Sequence, residues 1–254
     1  MAVYKSKGIV LRSIRYGEAD RILDLYTQDS GLVAVIAKGI RRTKSRFGGR
    51  LEPFSCVEFL AYEGKTFDTI TQVEVLRSFR GVRENLMRFQ AAGDVVGIVR
   101  ALSGGDLADR RIFNLLYHTL DVLEGREKDV KSVQAAFGLK LSILAGYAPR
   151  LDACVSCDRN LDKPANEEGP VYFTPPLGGV LCADCRSASS DSFPLPPETL
   201  AALRNLVLRP IKEAAMKERL EESVLRVVSS HLLAHSPGSI VLAPRDRGRA
   251  LRLA

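Results

Sequence analysis

KGIRRTKSRFGGR, residues 38–50, separates three predicted β-strands from two more, and this arrangement defines the N-terminal fold. On both sides of it, short stretches rich in β-branched residues alternate or cluster their apolar positions, as half-buried strands do. The predicted strands are residues 4–16, 20–27, 32–37, 56–62 and 69–76. Five short strands with no long helix among them bury their apolar faces most economically in a small barrel of the OB type. An SH3-like barrel is the alternative.

The segment 38–50, named here the basic loop, combines positive charge with a single aromatic side chain. Six of its thirteen residues are Lys or Arg and none is acidic. We interpret it as a long, mobile, cationic loop that contacts a polyanion, because each cation that neutralises a phosphate releases a condensed counterion. A solvated loop that only keeps a basic protein in solution is the other interpretation. The candidate contacts are Lys38, Arg41, Arg42, Lys44, Arg46 and Arg50, with Phe47 as a base-stacking side chain.

Charge and composition support a nucleic-acid partner. The chain has 254 residues and a formal net charge of +7, and residues 1–80 contribute 14 Lys and Arg against 9 Asp and Glu, a net of +5. Such a surplus favours nucleic acid or an anionic membrane as a partner over acidic substrates. The N-terminus lacks an apolar signal segment and no run approaches eighteen apolar residues, so we expect a cytoplasmic protein without membrane association.

Aromatic residues of the barrel are further candidates, because OB barrels bind single strands with a basic groove and stacking side chains. Each could instead fill the barrel, which we expect for Tyr26 and Phe59. The remaining candidates are Tyr16, Tyr62 and Phe67.

Helical periodicity begins at Gly81. Residues 83–102, a stripe from Phe113 to Leu123, and residues 131–145 predict three helices, the second with Asp106 as its N-cap. Further along, residues 192–197 predict a rigid connector, residues 198–208 a short helix and residues 213–234 a long amphipathic one. A tail, residues 243–254, carries four arginines against one acid and could also contact phosphates. The apolar stripes predict that these helices pack on one another, and the helices carry no recognisable set of catalytic residues.

Four cysteines form the most specific motif of the chain. Cys154 and Cys157 make one C-x-x-C pair, Cys182 and Cys185 make another, and 24 residues rich in Pro and Gly separate the pairs. Four thiolates complete a closed tetrahedral zinc site, so we predict a structural Zn²⁺ that supplies much of the folding energy of this segment. A redox C-x-x-C pair and coincidence are the alternatives. The fifth cysteine, Cys56, is predicted to be a buried apolar residue.

We therefore expect an α+β multidomain protein. Its predicted parts are an OB-type barrel (1–80), a first helical part (81–150), a small four-cysteine zinc module (151–190) inserted in the helical part, and a second helical part with the basic tail (191–254).

The chain resembles the RecO family of bacterial DNA repair and recombination proteins. The resemblance is most specific in KSKGIVLRSIRYGEADRILDLYTQDSGLVAVIAKGIRR, residues 5–42, and weakens through the helices. Only some members of the family carry the cysteine pairs. The resemblance implies a non-enzymatic recombination mediator that binds single- and double-stranded DNA, anneals complementary strands, promotes replacement of single-strand-binding protein (SSB) by RecA, and is nucleoid-associated. It implies as partners RecR, the acidic C-terminal tail of SSB, RecF and the RecA-coated filament. It also maps DNA binding onto the basic loop, with Arg12, Arg15 and Arg80 as weaker additions.

Rival functions make different demands on the sequence. An OB-fold RNA-binding or translation-associated protein shares the barrel and the charge, and differs in requiring a 2′-hydroxyl. A zinc hydrolase or nuclease would need an open metal site or carboxylates clustered near His, and none of the motifs H-x-E, H-E-x-x-H, Walker A or nucleophile elbow occurs. If the protein were a scaffold that binds only other proteins, the cations of the basic loop would have no role.

Overall fold

The computed structural model describes residues 2–102, 108–125, 129–161, 169–214 and 221–235. Its N-terminal part is a closed five-stranded barrel with the order β1-β2-β3-β5-β4. The strands are β1 (Val3–Tyr16), β2 (Asp20–Thr27), β3 (Gly31–Ala37), β4 (Cys56–Tyr62) and β5 (Asp68–Arg77). All neighbours are antiparallel except β3 and β5, which run parallel. The barrel predicted from the strand pattern is thus confirmed as an OB barrel.

The period-two alternation of the strands gives the barrel two apolar faces. Leu23, Val35 and Phe59 point inward and fill the barrel. Ile9 and Tyr26 occupy the alternate positions, and there they join the core of the helices. β1 is long enough to pair its first half with β4 and its second half with β2, which closes the barrel.

Seven helices follow or flank the barrel in the described part of the chain. They are α1 (Arg80–Arg83), α2 (Leu86–Leu102), α3 (Arg110–Glu124), α4 (Val130–Leu144), α5 (Pro197–Leu208), α6 (Ile211–Ala214) and α7 (Glu222–His235). α4 lies at the centre and contacts α2, α3, α5, α6 and α7. Small residues such as Ala135, Ala136 and Gly138 let its neighbours approach closely, and all three are buried. No helix within the described ranges is both long enough and apolar enough to span a bilayer.

Two helix predictions change in detail. The N-cap of α3 is Asp109, whose side chain accepts a hydrogen bond from the backbone N–H of Arg111, whereas Asp106 lies outside the described residues. The continuous helix predicted over residues 213–234 is wrong at Glu221, which is not helical. The basic tail from residue 243 lies outside the described ranges, as do residues 215–220.

The four cysteines belong to a small sheet of strand order β6-β8-β7-β9. Its strands are β6 (Arg150–Cys154), β7 (Val171–Thr174), β8 (Gly179–Leu181) and β9 (Phe193–Leu195), with a 3₁₀ helix (Ala183–Ala188) after β8. β9 pairs with β7, so the rigid connector predicted there is wrong. Phe173, Val180 and Leu181 are fully buried in the core shared with the helices, so the module buries more apolar surface than its Pro and Gly content suggested.

Candidate nucleic-acid interface and metal centre

The basic loop is anchored on the barrel by its own apolar residues. Phe47 and Leu51 are each only 1% exposed and lie in the barrel core. Backbone hydrogen bonds from Arg42 to Gly39, from Ser45 to Arg42 and from Arg50 to Phe47 fold the segment into successive turns. The segment is thus a loop, as predicted, and its turns and buried anchors attach it to the barrel. The assignment of Phe47 as a base-stacking side chain is wrong, because its ring is inaccessible.

The start of the basic loop is fixed on the turn between β1 and β2. The backbone N–H of Gly39 donates to Asp20 Oδ1 at 2.7 Å, and that of Arg41 donates to the carbonyl oxygen of Ala19 at 2.9 Å. The guanidinium of Arg41 also donates to the carbonyl oxygen of Glu18 at 2.9 Å. These bonds join two loops into one surface at this end of the barrel.

All six cations of the basic loop are exposed. Within the described residues, none of them has a carboxylate oxygen within 4.0 Å. The partners of Arg41 and Arg50 are neutral carbonyl oxygens, which leave the charges uncompensated. The loop therefore presents a concentrated positive charge to the solvent, the electrostatic feature with which proteins attract phosphates.

The three weaker candidates lie in different surroundings. Arg12 is exposed and faces Asp24 across the β1–β2 pair, while the Asp24 carboxylate contacts Arg100 at 3.0 Å. Arg80 lies on α1 and forms an exposed ion pair with Glu84 at 2.6 Å, so its charge, unlike those of the basic loop, has a carboxylate partner.

Arg15 has a neighbour that the sequence analysis missed. Arg21 lies directly opposite it on β2, and like charges in that position repel. Neither guanidinium has a carboxylate oxygen within 4.0 Å in the described part of the chain. Arg21 pairs in turn with Ala37, the residue before the basic loop, so Arg15 and Arg21 extend the same positive surface. The strand register that brings them together was the missing signal.

The aromatic candidates divide into buried and accessible groups. Tyr26 and Phe59 are buried, as expected. Tyr16 is 50% exposed, and its ring lies edge-on to that of half-buried Phe67 with centroids 6.4 Å apart. Tyr62 is half-buried on the outer side of β4. The accessible rings near the basic loop are thus Tyr16 and Phe67.

The four cysteines meet in the geometry of a metal site. Their sulfur atoms all lie within 4.8 Å of one another, and Cys157 Sγ is 3.8 Å from Cys182 Sγ. Tetrahedral zinc with Zn–S bonds of about 2.3 Å separates its sulfur ligands by about 3.8 Å. Cys154 and Cys182 are buried, whereas Cys157 is exposed. The donor set and its spacing fit a bound metal ion.

Hydrogen bonds shift the pKa values of two thiols in this cluster. Burial alone would raise the pKa of Cys154, but backbone N–H groups of Cys182, Ser156 and Cys157 lower it to about 6. Cys185 accepts a bond from Ser156, which favours its thiolate, yet its contacts with Cys157 and Cys182 raise its pKa to about 12. A positive charge at the centre of the cluster would favour the thiolate of Cys185 that these contacts disfavour. Cys56 is apart from them, and burial raises its pKa to about 11, as expected of an apolar position.

Comparison with known proteins places the whole chain in one family. The family model described as "Recombination protein O N terminal" matches residues 1–79, and "Recombination protein O C terminal" matches residues 84–240. The chain belongs to the RecO family. It is 62% identical over 244 residues to DNA repair protein RecO of Rubrobacter xylanophilus, an alignment that covers 96% of each chain. It is 33% identical over 239 residues to the RecO protein of Symbiobacterium thermophilum, covering 93% of each chain. The resemblance found in the sequence is confirmed, and the barrel and cysteine module are parts of a RecO chain.

Proposed function

We propose that this RecO-family chain is a non-enzymatic mediator of DNA repair that binds single- and double-stranded DNA through its barrel. The six exposed cations of the basic loop carry the proposal, because no carboxylate of the described residues neutralises them. Phosphate contacts of this kind are independent of sequence, and a protein that anneals complementary strands needs binding of that kind. Membership of a DNA repair family supports DNA as the polyanion.

The family also supports a set of partners. In this proposal the protein promotes replacement of SSB by RecA on single strands, and it acts together with RecR, RecF and the acidic tail of SSB. A cationic surface suits an acidic tail as well as a phosphate backbone. We assign none of these protein contacts to particular residues.

We further propose that the four cysteines hold a structural zinc ion. Cys154, Cys157, Cys182 and Cys185 supply four sulfur ligands, and the cluster geometry supports a closed site. The ion would neutralise the thiolates and link β6 and its following turn to the 3₁₀ helix after β8. A site with four protein ligands has no open position for water, so this site would support folding and not hydrolysis.

Salt dependence of DNA binding tests the central claim. If all six cations contact phosphates of a single strand, log affinity should fall with log salt at a slope of roughly −4, from about −0.7 per contact. The double variant Arg41→Ala/Arg42→Ala should flatten the slope by about 1.4 and weaken binding to all sequences alike.

A second arginine pair provides a matched control. Arg110 and Arg111 are adjacent on α3 and exposed, but each already forms an ion pair, with Asp29 and Asp109 respectively. Arg110→Ala/Arg111→Ala removes the same charge and should leave the slope unchanged. An equal effect of both double variants would mean that only net charge matters and would refute the assignment to the loop. Competition by RNA of the same sequence tests whether binding requires a 2′-hydroxyl, which the DNA proposal does not.

A further inference from the structure

One carboxylate contacts the basic loop without forming an ion pair. Asp20 is the first residue of β2 and is half-buried. Its Oδ1 accepts the backbone N–H of Gly39 at 2.7 Å, and no Lys or Arg nitrogen of the described residues lies within 4.0 Å of the carboxylate. A negative charge at this position repels phosphates, so its electrostatic effect alone opposes nucleic-acid binding. The contribution of Asp20 to the loop is therefore its hydrogen bond.

Of the three hydrogen bonds that join the start of the basic loop to the β1–β2 turn, one depends on the type of side chain. The backbone N–H and the guanidinium of Arg41 donate to the carbonyl oxygens of Ala19 and Glu18, which any residue at those positions would supply. The bond from Gly39 needs a side chain with an oxygen acceptor at position 20. A substitution of Asp20 can therefore remove one attachment of the loop and leave the other two in place.

The backbone at Gly39 directs the chain toward two cations of the loop. Gly39 has a φ of +69°, in the left-handed region that a residue with a Cβ adopts only with strain. Its carbonyl oxygen accepts the backbone N–H of Arg42 at 3.1 Å, and a Cβ at position 39 would lie 3.6 Å from Arg42 Cδ. Arg41 and Arg42 follow this turn and are exposed. The conformation at Gly39 thus affects where both guanidinium groups lie.

We propose that Asp20 is a positioning residue for DNA binding, because its carboxylate holds the Gly39 turn so that Arg41 and Arg42 can contact neighbouring phosphates. The inference rests on the proposed function, which assigns these two cations to phosphate contacts. Its effect has the opposite sign from simple electrostatics. Loss of the acceptor should weaken DNA binding although a negative charge is removed, whereas charge alone would make a neutral variant bind more tightly.

The test compares two neutral variants of the full chain that differ in hydrogen bonding. Asp20→Ala removes the charge and the acceptor, whereas Asp20→Asn removes the charge and keeps an oxygen acceptor. In titrations of fluorescent oligo-dT at about 0.1 M salt, Asp20→Ala should bind about 5-fold more weakly if one phosphate contact is lost and about 25-fold if two are lost, because each contact contributes about −0.7 to the salt slope. Asp20→Asn should bind at least as tightly as the wild type.

Two further variants separate the position of the loop from its charge. Glu63, which follows β4, is exposed and has no Lys or Arg nitrogen within 4.0 Å in the described part of the chain. Glu63→Ala removes a negative charge without touching the loop, so it should not weaken binding. Gly39→Ala changes no charge but strains the turn, so it should flatten the salt slope as Asp20→Ala does. Urea denaturation establishes that each variant is folded under the titration conditions, and Gly39→Ala keeps the test decisive if Asp20→Ala does not fold.

Three results would overturn the inference. They are equal affinities of Asp20→Ala and Asp20→Asn, a wild-type salt slope in folded Asp20→Ala, and a wild-type salt slope in Gly39→Ala. Each of them leaves the proposed function intact if Arg41→Ala/Arg42→Ala still flattens the slope. A wild type that binds no DNA would overturn the proposed function, and this inference with it.

Discussion

Arg46 places its guanidinium carbon 5.1 Å from the ring centroid of Phe47, which is itself almost completely buried in the barrel. Two consecutive residues of the basic loop thus have different roles. Phe47 anchors the loop in the barrel core, and Arg46 faces the solvent. The backbone that carries the exposed charges is attached to the barrel because Phe47 and Leu51 lie in its core.

Substitution of Phe47 distinguishes an anchor from a stacking residue. Phe47→Ala should lower the free energy of unfolding by about 3–5 kcal/mol, because it leaves a cavity in the core. Phe47→Leu retains an apolar anchor, so it should cost less stability and keep single-strand affinity within about twofold. Chemical denaturation and oligo-dT titration measure the two effects. If Phe47→Leu folds normally but loses single-strand binding more than fivefold, the ring contacts bases and the core assignment is wrong.

The turn before β5 should control the position of Phe67. A methyl group on Gly64 would lie 2.0 Å from the carbonyl oxygen of Phe67, so the turn must move in Gly64→Ala. The backbone N–H of Gly64 also donates to Asp68 Oδ1 at 3.1 Å, and movement of the turn would disturb this hydrogen bond. We expect a loss of stability of about 1–3 kcal/mol.

Gly97→Ala is the matched control for this turn. Gly97 lies in α2 with no atom within 4 Å of an added methyl group, so the change should stabilise the helix by about 0.5–1 kcal/mol. Urea denaturation of both variants makes the comparison. An unaltered stability of Gly64→Ala would show that the turn accommodates the methyl group and does not constrain Phe67.

Removal of one cysteine ligand should abolish metal binding. Cys182→Ser should lose stoichiometric zinc, and it should lose several kcal/mol of stability because the remaining thiols no longer form a closed site. Cys56→Ser also places a hydroxyl at a buried cysteine position, 2% exposed, but should keep its zinc. Elemental analysis of the purified proteins measures the metal. A wild type prepared in the presence of zinc that contains none would contradict the zinc proposal.

Sequence patterns predicted those features that depend on neighbours along the chain. The period-two alternation of β1–β5 indicated the barrel, and the spacing from Cys154 to Cys185 indicated one cluster. Phe47 was misassigned because a polar loop has the same local sequence whether its aromatic residue points outward or anchors it in a core. β9 was missed because a three-residue strand containing Pro194 is indistinguishable from a linker until β7 lies beside it.

Register and long-range packing account for the other differences. Arg21 became a candidate only when the β1–β2 register placed it opposite Arg15. The cysteine module seemed poor in apolar residues because the helices that cover Phe173 and Val180 are distant in sequence.

A buried histidine should make the stability of the helical part depend on pH. His231 on α7 is 1% exposed, and its Nε2 lies 2.8 Å from the carbonyl oxygen of Tyr147, which favours Nε2–H as the donor. Its Nδ1 is buried and has no hydrogen-bond partner in the described structure. Burial lowers the pKa of His231 below its ordinary value of 6.5, so the folded protein resists protonation there.

The sign of the effect follows from proton binding. Above about pH 6.5 His231 is neutral in both states and has no effect on the pH dependence, whereas below it the unfolded chain binds a proton that the folded chain excludes. Stability should therefore fall as the pH decreases from about 6.5 until the folded His231 also titrates, by at most about 1.4 kcal/mol per pH unit for this one group. His231→Gln can still donate to Tyr147 but cannot titrate, so urea denaturation between pH 5.5 and 8 should show a shallower decline in this variant. If the free energy of unfolding fell equally with decreasing pH in the wild type and in His231→Gln, His231 would not be the cause of the acid sensitivity.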